Sequence, residues 1–297
     1  MNRFARMLAV TVAVLLVVLV AGAAWYTRAG AEVFRIVRTD QGAYRWTPDR
    51  PLWVLLLGDD ARRGAGCGCS DAIHLVGIPA GGGQAVMLNI PRDLRVQIPG
   101  RGLRRVNEAY ARGGPQLAAD VIGRLVGVPI AYTMVTTFGG LPAMVDELGG
   151  VTVNVPVAVR DRKVGAAFGP GPVRMNGATA MAFARSRNFP DGDLTRTKHQ
   201  ALLILSMLGK LRAEGAAPAD TMRYLAVFLR HTKSIGLTTP DLYRLGRLAL
   251  SIDPAGVRSV TVPSRGIMYQ GMSMLEALPG AASLYRDLAD DAILQAH

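Results

Sequence analysis

The sequence predicts a three-layer α/β/α domain with a mixed central sheet, preceded by one N-terminal transmembrane helix. Three observations support this prediction. Short apolar runs bounded by turn residues are typical of buried strands. Stretches with helical spacing lie between those runs, and such alternation places helices on both faces of a sheet. Finally, the N-terminus carries a long apolar run without a charge.

The N-terminal run has the features of a membrane anchor. Residues 1–6 are short and basic, and residues 7–25 are close to the length that a helix needs to cross a bilayer. A cleaved secretory signal is the alternative, because Ala21-Gly22-Ala23 has the small-x-small form. The length of the run favours an uncleaved anchor, and the short leading segment favours a cytoplasmic N-terminus. We therefore expect a single-pass membrane protein with a stalk over 26–50 and an extracytoplasmic domain over 51–297.

The body of the chain contains the alternating elements. Its composition has no internal repeat and no low-complexity linker, which indicates a single domain. Turn residues and glycines separate the elements, and loops are expected at 61–70, 101–112 and 161–172. In chain order we predict strands over 53–57, 73–78 and 85–90 with a hairpin at 79–83, a helix over 116–126, a strand over 130–138, a helix over 141–148, a strand over 151–155, helices over 178–184, 195–213, 219–230 and 240–251, a strand over 257–262 and a short helix over 284–294.

Composition narrows the possible functions. The net charge of +12 suits an anionic partner such as nucleic acid, anionic lipid or a phosphate-bearing substrate. The chain has no P-loop, no His-Glu-x-x-His and no Gly-x-Ser-x-Gly, which excludes the common nucleotide hydrolases, zinc proteases and serine hydrolases.

Cys67 and Cys69 could form a disulfide in an exported protein, but one intervening residue makes a bridge tight, so two unpaired loop cysteines are favoured.

Acidic and arginine residues follow the ends of the apolar runs. If the strands are neighbours, these residues collect at one edge of the sheet, where sites form in open α/β folds. Arginine binds phosphate oxygens with a planar set of donors, and paired carboxylates hold a hard cation such as Mg²⁺. The pattern therefore predicts a pyrophosphate site in which Asp60 and Asp71 hold the metal. The residues expected to act on the pyrophosphate are Arg62, Arg92, Asp93, Arg185, Arg187, Asp193 and Arg196.

Each of these residues also has a purely structural explanation. Aspartate beside glycine is common in solvated turns, and Asp193 could cap the helix that follows it. Arginine at 185 and 187 could complement a helix dipole. The functional interpretation depends on all of them falling at the ends of elements.

The order of these pieces resembles the LytR-CpsA-Psr family of bacterial cell-wall proteins. The resemblance covers residues 52–211 and rests on several short motifs in series. The matching stretches are Leu55-Leu56-Leu57-Gly58-Asp59-Asp60-Ala61-Arg62, Ser70-Asp71, Asn89-Ile90-Pro91-Arg92-Asp93, Val106-Asn107-Glu108-Ala109-Tyr110 with Gly113-Gly114, Leu148-Gly149-Gly150-Val151, Met175-Asn176-Gly177, Ala184-Arg185-Ser186-Arg187, and Asp193-Leu194-Thr195-Arg196 ahead of Gln200.

The resemblance implies a Mg²⁺-dependent phosphotransferase on the outer face of the membrane. Such an enzyme moves a glycopolymer from a polyprenyl-pyrophosphate carrier to peptidoglycan, and the carrier chain lies in an apolar tunnel. On this basis Asp60 and Asp71 hold the metal, the arginines surround the pyrophosphate, and Asp93 and Asp193 orient them or deprotonate the acceptor hydroxyl. Two positions depart from the family pattern, because Cys69 and His199 stand where arginine is usual.

Other functions compete with the transferase. An anchored protein that binds lipid-linked glycan or wall polymer without turnover would use the same residues, as would a pyrophosphate hydrolase with water as the acceptor. A membrane-bound transcription attenuator would suit the positive charge, but the sequence has no helix-turn-helix and no basic strand interleaved with aromatic residues. We therefore expect no nucleic-acid partner.

Overall fold

The computed structural model describes residues 34–40, 46–59, 68–80, 82, 84–137, 140–214 and 232–295. Its strands are β1 (Phe34–Arg38), β2 (Leu52–Asp59), β3 (Ser70–Ile78), β4 (Val86–Asn89), β5 (Arg95–Ile98), β6 (Gly102–Arg105), β7 (Tyr132–Thr137), β8 (Val151–Val155), β9 (Val159–Asp161), β10 (Ala166–Phe168), β11 (Gly171–Met175), β12 (Thr232–Ile235), β13 (Arg258–Thr261), β14 (Ser264–Tyr269) and β15 (Met272–Ala277). Its α-helices are α1 (Asn107–Val126), α2 (Gly140–Glu147), α3 (Gly177–Arg185), α4 (Asp193–Glu214), α5 (Thr239–Ser251) and α6 (Pro279–Asp291).

The centre of the molecule is a mixed sheet with strand order β12-β1-β7-β2-β3-β4-β13. Strands β2, β3 and β4 form an antiparallel series, whereas β7 runs parallel to β2 and β13 parallel to β4. The carboxyl ends of β2, β4, β7 and β13 therefore meet at the same edge of the sheet as the start of β3. The expectation of a mixed central sheet is confirmed.

One face of this sheet carries the main apolar core on its central strands. Alternate residues of β2, including Leu55 and Leu57, pack with side chains of α1 and α6 in the largest apolar core. Trp53 lies so close to β3 that a Cβ at position 77 would approach its ring to 2.5 Å, so only Gly77 fits there. Burial of this face is the main source of stability, because apolar surface removed from water contributes in proportion to its area.

The opposite face is covered less completely. Helices α4 and α5 pack against its rim through residues such as Leu208 and Leu245, which join a smaller core around Leu52 and Ile78. In the middle of the sheet, however, the side chains of β2 that point to this face are only half-buried. A further apolar core joins β8 to β11 with α2, α3 and one side of α4.

Most of the predicted elements are present. The strands expected at 53–57, 73–78 and 85–90 are β2, β3 and β4, and the hairpin between the last two is confirmed by their antiparallel pairing. The long helix expected at 195–213 is α4. The helix expected over 219–230 lies outside the described residues.

Several predictions of irregular chain were wrong. Within the expected stalk, 26–50, Phe34–Arg38 is an inner strand that pairs with both β7 and β12. Its two arginines hide the apolar pattern, and pairing on both sides stabilises it. The expected connection at 101–112 contains β6 and the start of α1, and the loop at 161–172 contains β10. The β14–β15 hairpin was not predicted.

The membrane anchor is not part of the described structure. Among the helices of the described residues, none is long and apolar enough to cross a bilayer. The segment expected to be the anchor, 7–25, lies outside those residues.

Candidate functional site

The predicted residues meet where three strand ends adjoin. Asp59, the last residue of β2, pairs with Ser70, the first residue of β3. Asn89 ends β4 and pairs with His74 of β3. Because β3 is antiparallel to both neighbours, Asp71 lies at the same edge of the sheet as the Pro91-Arg92-Asp93 turn that follows β4. The expected gathering of acids and arginines is thus observed for these residues.

Asp71 is the centre of this cluster. Arg92 Nη1 donates a hydrogen bond to Asp71 Oδ1. Arg187 Nη2 lies 3.7 Å and Arg196 Nη1 3.8 Å from Asp71 Oδ2. Burial acts to raise the pKa of Asp71, but the guanidinium groups of Arg92, Arg196 and Arg187 outweigh it and hold the pKa below its usual value. Asp71 is therefore an ionised carboxylate at neutral pH.

Two further aspartates complete the network. Asp193, the first residue of α4, accepts a hydrogen bond of 3.0 Å from Arg196 Nη2 and lies 3.5 Å from Nε of both Arg92 and Arg187. An acid in this position also interacts favourably with the positive end of the helix. Asp93 lies 3.6 Å from Arg92 Nε and 3.6 Å from Arg105 Nε. Four arginines thus converge on three aspartates.

Arg196 is the most deeply buried cation of the site. Its side chain is 2% exposed, and Nη2 also donates to the carbonyl of Asp71 at 3.0 Å. Burial lowers its pKa to about 10, and Asp193 offsets only part of that effect, since Arg92 and Arg187 lower it further. A buried cation whose pKa is shifted in this way marks a candidate functional site.

Arg187 is more exposed than the other three arginines of the cluster. Its side chain is 44% exposed, and its backbone N–H donates to Asp161 Oδ2 at 2.9 Å. Asp161 lies on β9 and also accepts from Lys163 N at 3.1 Å, and the bond from Arg187 lowers its pKa. Arg185 ends α3 two residues earlier and is half-buried. Sequence reasoning missed Asp161, because nothing local links it to Arg187.

Several buried polar atoms at the site lack a hydrogen-bond partner within the described part of the chain. They are Ser70 Oγ, Asn107 Oδ1 and Gln200 Oε1. Buried polar groups are normally satisfied, so unpaired ones point to a bound group. Asn107 also lines a cavity of about 390 Å³ that Arg105, Glu108 and Arg112 share.

The two positions that depart from the family pattern do not supply cations. His199 is buried, stacked on Phe183 with ring centroids 4.3 Å apart and edge-on to Phe189 at 5.1 Å. Burial lowers its pKa to about 4, so the ring is neutral at physiological pH. Cys69 is 5% exposed and disulfide-bonded, against the expectation of an unpaired cysteine. Cys67 lies outside the described residues.

The residues predicted to hold a metal are only partly described. Asp60 and Arg62 lie outside the described residues, whereas Asp59 accepts a hydrogen bond of 2.9 Å from the Tyr110 hydroxyl. In the part of the chain that the structure covers, no group of three or more histidine, cysteine, aspartate or glutamate side chains is placed to hold a metal ion.

Comparisons with known proteins by family model, by sequence and by structure agree with one another. Residues 28–285 match the model of the LytR_cpsA_psr family. The chain is 30% identical over 220 residues to the regulatory protein MsrR of Staphylococcus aureus strain COL. The aligned region covers 72% of this chain and 65% of MsrR. The chain is 33% identical over 162 residues to the polyisoprenyl-teichoic acid–peptidoglycan teichoic acid transferase TagU of Bacillus licheniformis. That aligned region covers 54% of this chain and 52% of TagU. The chain thus spans between 52% and 65% of the length of these curated relatives.

Solved structures show the same fold. The LytR-CPS2A-psr family protein YwtF (TagT) with bound octaprenyl pyrophosphate lipid superposes with a TM-score of 0.64 at 22% identity, over 87% of this chain and 95% of that one. The family match covers most of the chain and includes every motif from which the resemblance was inferred. This chain belongs to the LytR-CpsA-Psr family.

Proposed function

We propose that this protein transfers a glycopolymer from a polyprenyl-pyrophosphate carrier to peptidoglycan. The observation that carries the proposal is the cluster in which Arg92, Arg187 and Arg196 converge on Asp71 and Asp193. Positioned guanidinium groups neutralise a pyrophosphate and the charge that develops on its leaving phosphate. The name of TagU and the lipid held by TagT support this substrate class.

The apolar part of the donor has a matching surface. Val54, Leu56, Val76 and Met134 are half-buried apolar residues of β2, β3 and β7. Leu56 pairs with Met134 and Val54 with Val76, so they form one patch on the less covered face of the sheet. We call these four residues the sheet patch. A polyprenyl chain lying on it would remove their remaining exposed surface from water.

Mg²⁺ belongs to the proposal as the metal that Asp60 and Asp71 would hold. The ionised state of Asp71 fits this role, because hard divalent cations bind carboxylate oxygens. When bound, the ion would neutralise charge on the pyrophosphate oxygens. Arg92, which donates to Asp71, would bind the pyrophosphate beside it.

Asp93 is the better candidate for deprotonating the acceptor. Asp193 is held by Arg196 at 3.0 Å, whereas the arginine contacts of Asp93 are both 3.6 Å. In the proposed step a hydroxyl oxygen of peptidoglycan forms a bond to the phosphorus that carries the glycan. The bond from that phosphorus to the bridging oxygen breaks, polyprenyl phosphate leaves, and the hydroxyl proton passes to Asp93.

The proposal places the domain on the outer face of the membrane. Residues 7–25 would form a single-pass anchor with the N-terminus in the cytoplasm. A reporter fused at the carboxyl terminus tests this arrangement, because activity of a reporter that works only outside the cytoplasm is expected. Cytoplasmic reporter activity would contradict it and would favour the transcription attenuator.

Transfer itself is tested with full-length protein in detergent. The assay combines a radiolabelled short polyprenyl-pyrophosphate glycan, peptidoglycan oligomers, and buffer with or without Mg²⁺. We expect metal-dependent transfer that Asp71→Asn and Arg92→Ala reduce by roughly a hundredfold or more, the loss typical of removing one charge-stabilising group. The matched control is Arg124→Ala, because Arg124 is an exposed arginine on α1 away from the cluster.

A binding protein without turnover is the second candidate. The observation in its favour is the neutral, buried His199 at a position where the family often has a cation. Tight donor binding without transfer, across several donors and acceptors, would support it over the transferase. Release of glycan phosphate together with polyprenyl phosphate in the absence of an acceptor would instead indicate hydrolysis.

A further inference from the structure

The segment that carries Arg187 is bound to strand β9. Residues 186–188 follow the last residue of α3 and lead toward α4. Within this segment, Arg187 N donates to Asp161 Oδ2 at 2.9 Å, and Asn188 Nδ2 donates to the carbonyl of Arg160 at 2.7 Å. Both acceptors belong to β9, so this strand holds the backbone between the two helices.

Asp161 supplies a charged acceptor for this segment. The residue is 7% exposed, and its two carboxylate oxygens face different donors. Oδ2 accepts from Arg187 N and lies 3.5 Å from Ser186 Oγ, whereas Oδ1 accepts from Lys163 N at 3.1 Å. The bond from Arg187 N is the largest of the effects that lower the pKa of Asp161, so this carboxyl group is ionised at neutral pH. Hydrogen bonds to an ionised acceptor are roughly twice as strong as neutral ones.

The side chain of Arg187 is itself loosely held. It is 44% exposed, and its guanidinium lies 3.7 Å from Asp71 Oδ2 and 3.5 Å from Asp193 Oδ1. Arg196, by contrast, is 2% exposed and contacts Asp193 at 3.0 Å. Contacts as long as those of Arg187 do not fix a guanidinium in one orientation. The position of this guanidinium in the cluster therefore depends mainly on where the backbone of Arg187 is held.

The β9–β10 hairpin is a firm support for this contact. Asp161 pairs with Ala166 of β10, and Phe168 of the same strand packs edge-on against Phe183 of α3, with ring centroids 6.0 Å apart. Phe183 in turn stacks on His199 of α4. The hairpin thus packs on α3, and α3 packs on α4. Asp161 is therefore held in place relative to the helices on either side of segment 186–188.

We propose that Asp161 is a positioning residue that fixes Arg187 for contact with the pyrophosphate of the donor. Asp161 acts through the backbone of Arg187 and not on the ligand itself. Loss of the carboxylate would loosen segment 186–188 from β9, and the exposed guanidinium would then spread over more orientations. The identity of the ligand rests on the proposed function, whereas the coupling between the two residues is measured by itself.

A double-mutant cycle tests this coupling. The full-length protein in detergent with Mg²⁺ is titrated calorimetrically with geranyl pyrophosphate, a two-isoprene pyrophosphate. Asp161→Asn keeps the shape of the side chain but has one acceptor oxygen, so it cannot serve both Arg187 N and Lys163 N. We expect it to weaken binding roughly three- to tenfold, because a charge-assisted hydrogen bond is lost. In an Arg187→Ala background, which itself binds more weakly, the same substitution should change the affinity by less than roughly twofold.

Stability separates positioning from a general structural role. Asp161→Asn should lower the midpoint of denaturant unfolding equally in both backgrounds, because the lost bonds do not involve the guanidinium. Asp241→Asn is the matched control, since Asp241 also accepts a backbone N–H, from Thr238 at 2.9 Å, but lies on α5. It should lower the midpoint while leaving the affinity for geranyl pyrophosphate unchanged. Asn188→Ala removes the exposed bond to Arg160 and should show the same dependence on the guanidinium, so it carries the test if Asp161→Asn does not fold.

The outcomes distinguish this inference from the proposed function. Equal losses of affinity from Asp161→Asn with and without the Arg187 side chain would overturn the inference, as would a folded variant at Asp161 or Asn188 that binds geranyl pyrophosphate like the parent. If Arg187→Ala alone binds like the parent, both the inference and the arginine site of the proposed function are wrong. Coupled losses of binding in a protein that transfers no glycan would refute the proposed function alone.

Discussion

At the scale of single residues, His199 shows how packing sets chemistry. Its ring lies between Phe183 and Phe189, and burial lowers its pKa to about 4, so it adds no cation to the arginine–aspartate cluster at physiological pH. Burial also lowers the pKa of His74 to about 4. Its Nδ1 lies 2.8 Å from Asn89 Oδ1. Both rings are neutral parts of the fold at physiological pH.

These histidines predict how stability depends on pH. His199 takes up a proton near pH 6.5 in the unfolded chain but only near pH 4 in the folded protein. Its neutral packing therefore contributes fully to the free energy of unfolding above pH 6.5, and this contribution is lost as the pH falls toward 4. His199→Phe preserves the aromatic packing without a titrating group. We expect its free energy of unfolding to fall less than that of the parent between pH 7 and 4.5, by about 1–3 kcal/mol. Urea unfolding at the two values measures this difference, and parallel losses in both proteins would contradict it.

At the scale of elements, the contact of α2 with α3 positions Arg185, the last residue of α3, and Arg187, which follows it. Gly177 N donates to Asp146 Oδ1 at 2.7 Å, and the Asn176 side chain caps α3 by accepting from Thr179 N at 2.9 Å. A Cβ at position 177 would lie 2.2 Å from the carbonyl oxygen of Pro142. The two helices can approach this closely only with glycine there, and α3 leads directly to Arg185 and Arg187.

Gly177→Ala should therefore separate α3 from α2. We expect a loss of about 1–3 kcal/mol in the free energy of unfolding, together with weaker donor binding because Arg187 moves away from Asp71. Denaturant unfolding and donor titration measure the two effects. Gly169→Ala is the matched control, because a Cβ at position 169 meets nothing within 4 Å. Equal behaviour of the two variants would disprove the packing argument.

At the scale of the whole molecule, the two faces of the central sheet have different roles. One face is closed by α1 and α6 and forms the main core. The other leaves the sheet patch of Val54, Leu56, Val76 and Met134 half-buried. The arginine–aspartate cluster around Asp71 lies at the edge of the same sheet. This arrangement suits a ligand with a charged head and a long apolar tail.

The sheet patch can be tested through the length of the lipid. Leu56→Gln should weaken an eight-isoprene pyrophosphate by roughly tenfold or more, since apolar burial is replaced by a polar side chain. It should hardly affect a two-isoprene pyrophosphate, whose affinity in the proposed function would come from the arginines. Competition binding with both lipids measures the contrast, and Val157→Gln, an exposed residue elsewhere that is 52% exposed, serves as the control. Equal losses for both lipids would mean that the tail does not lie on the patch.

Local patterns in the sequence were sufficient for much of the sheet and for part of the site. The runs that became β2, β3 and β4 are mostly apolar, and turn residues bound them, so their ends and the acids and arginines beyond them could be located. Asp71, Arg92, Asp93, Arg187, Asp193 and Arg196 were all named in this way. The family followed from the order of the same motifs.

The remaining features depend on contacts between distant residues, and the tertiary structure alone decided them. Strand β1 contains two arginines and is held by pairing with β7 and β12. Asp161 contacts Arg187 across a sequence separation of 26 residues, and the β14–β15 hairpin approaches Asp93 from the far end of the sequence. The neutral state of His199 likewise arises from burial. The sequence by itself determined which side chains stand at strand ends, because strand patterns are local. Only folding decided which of them meet and how strongly each is charged, because burial and pairing are properties of the packed whole.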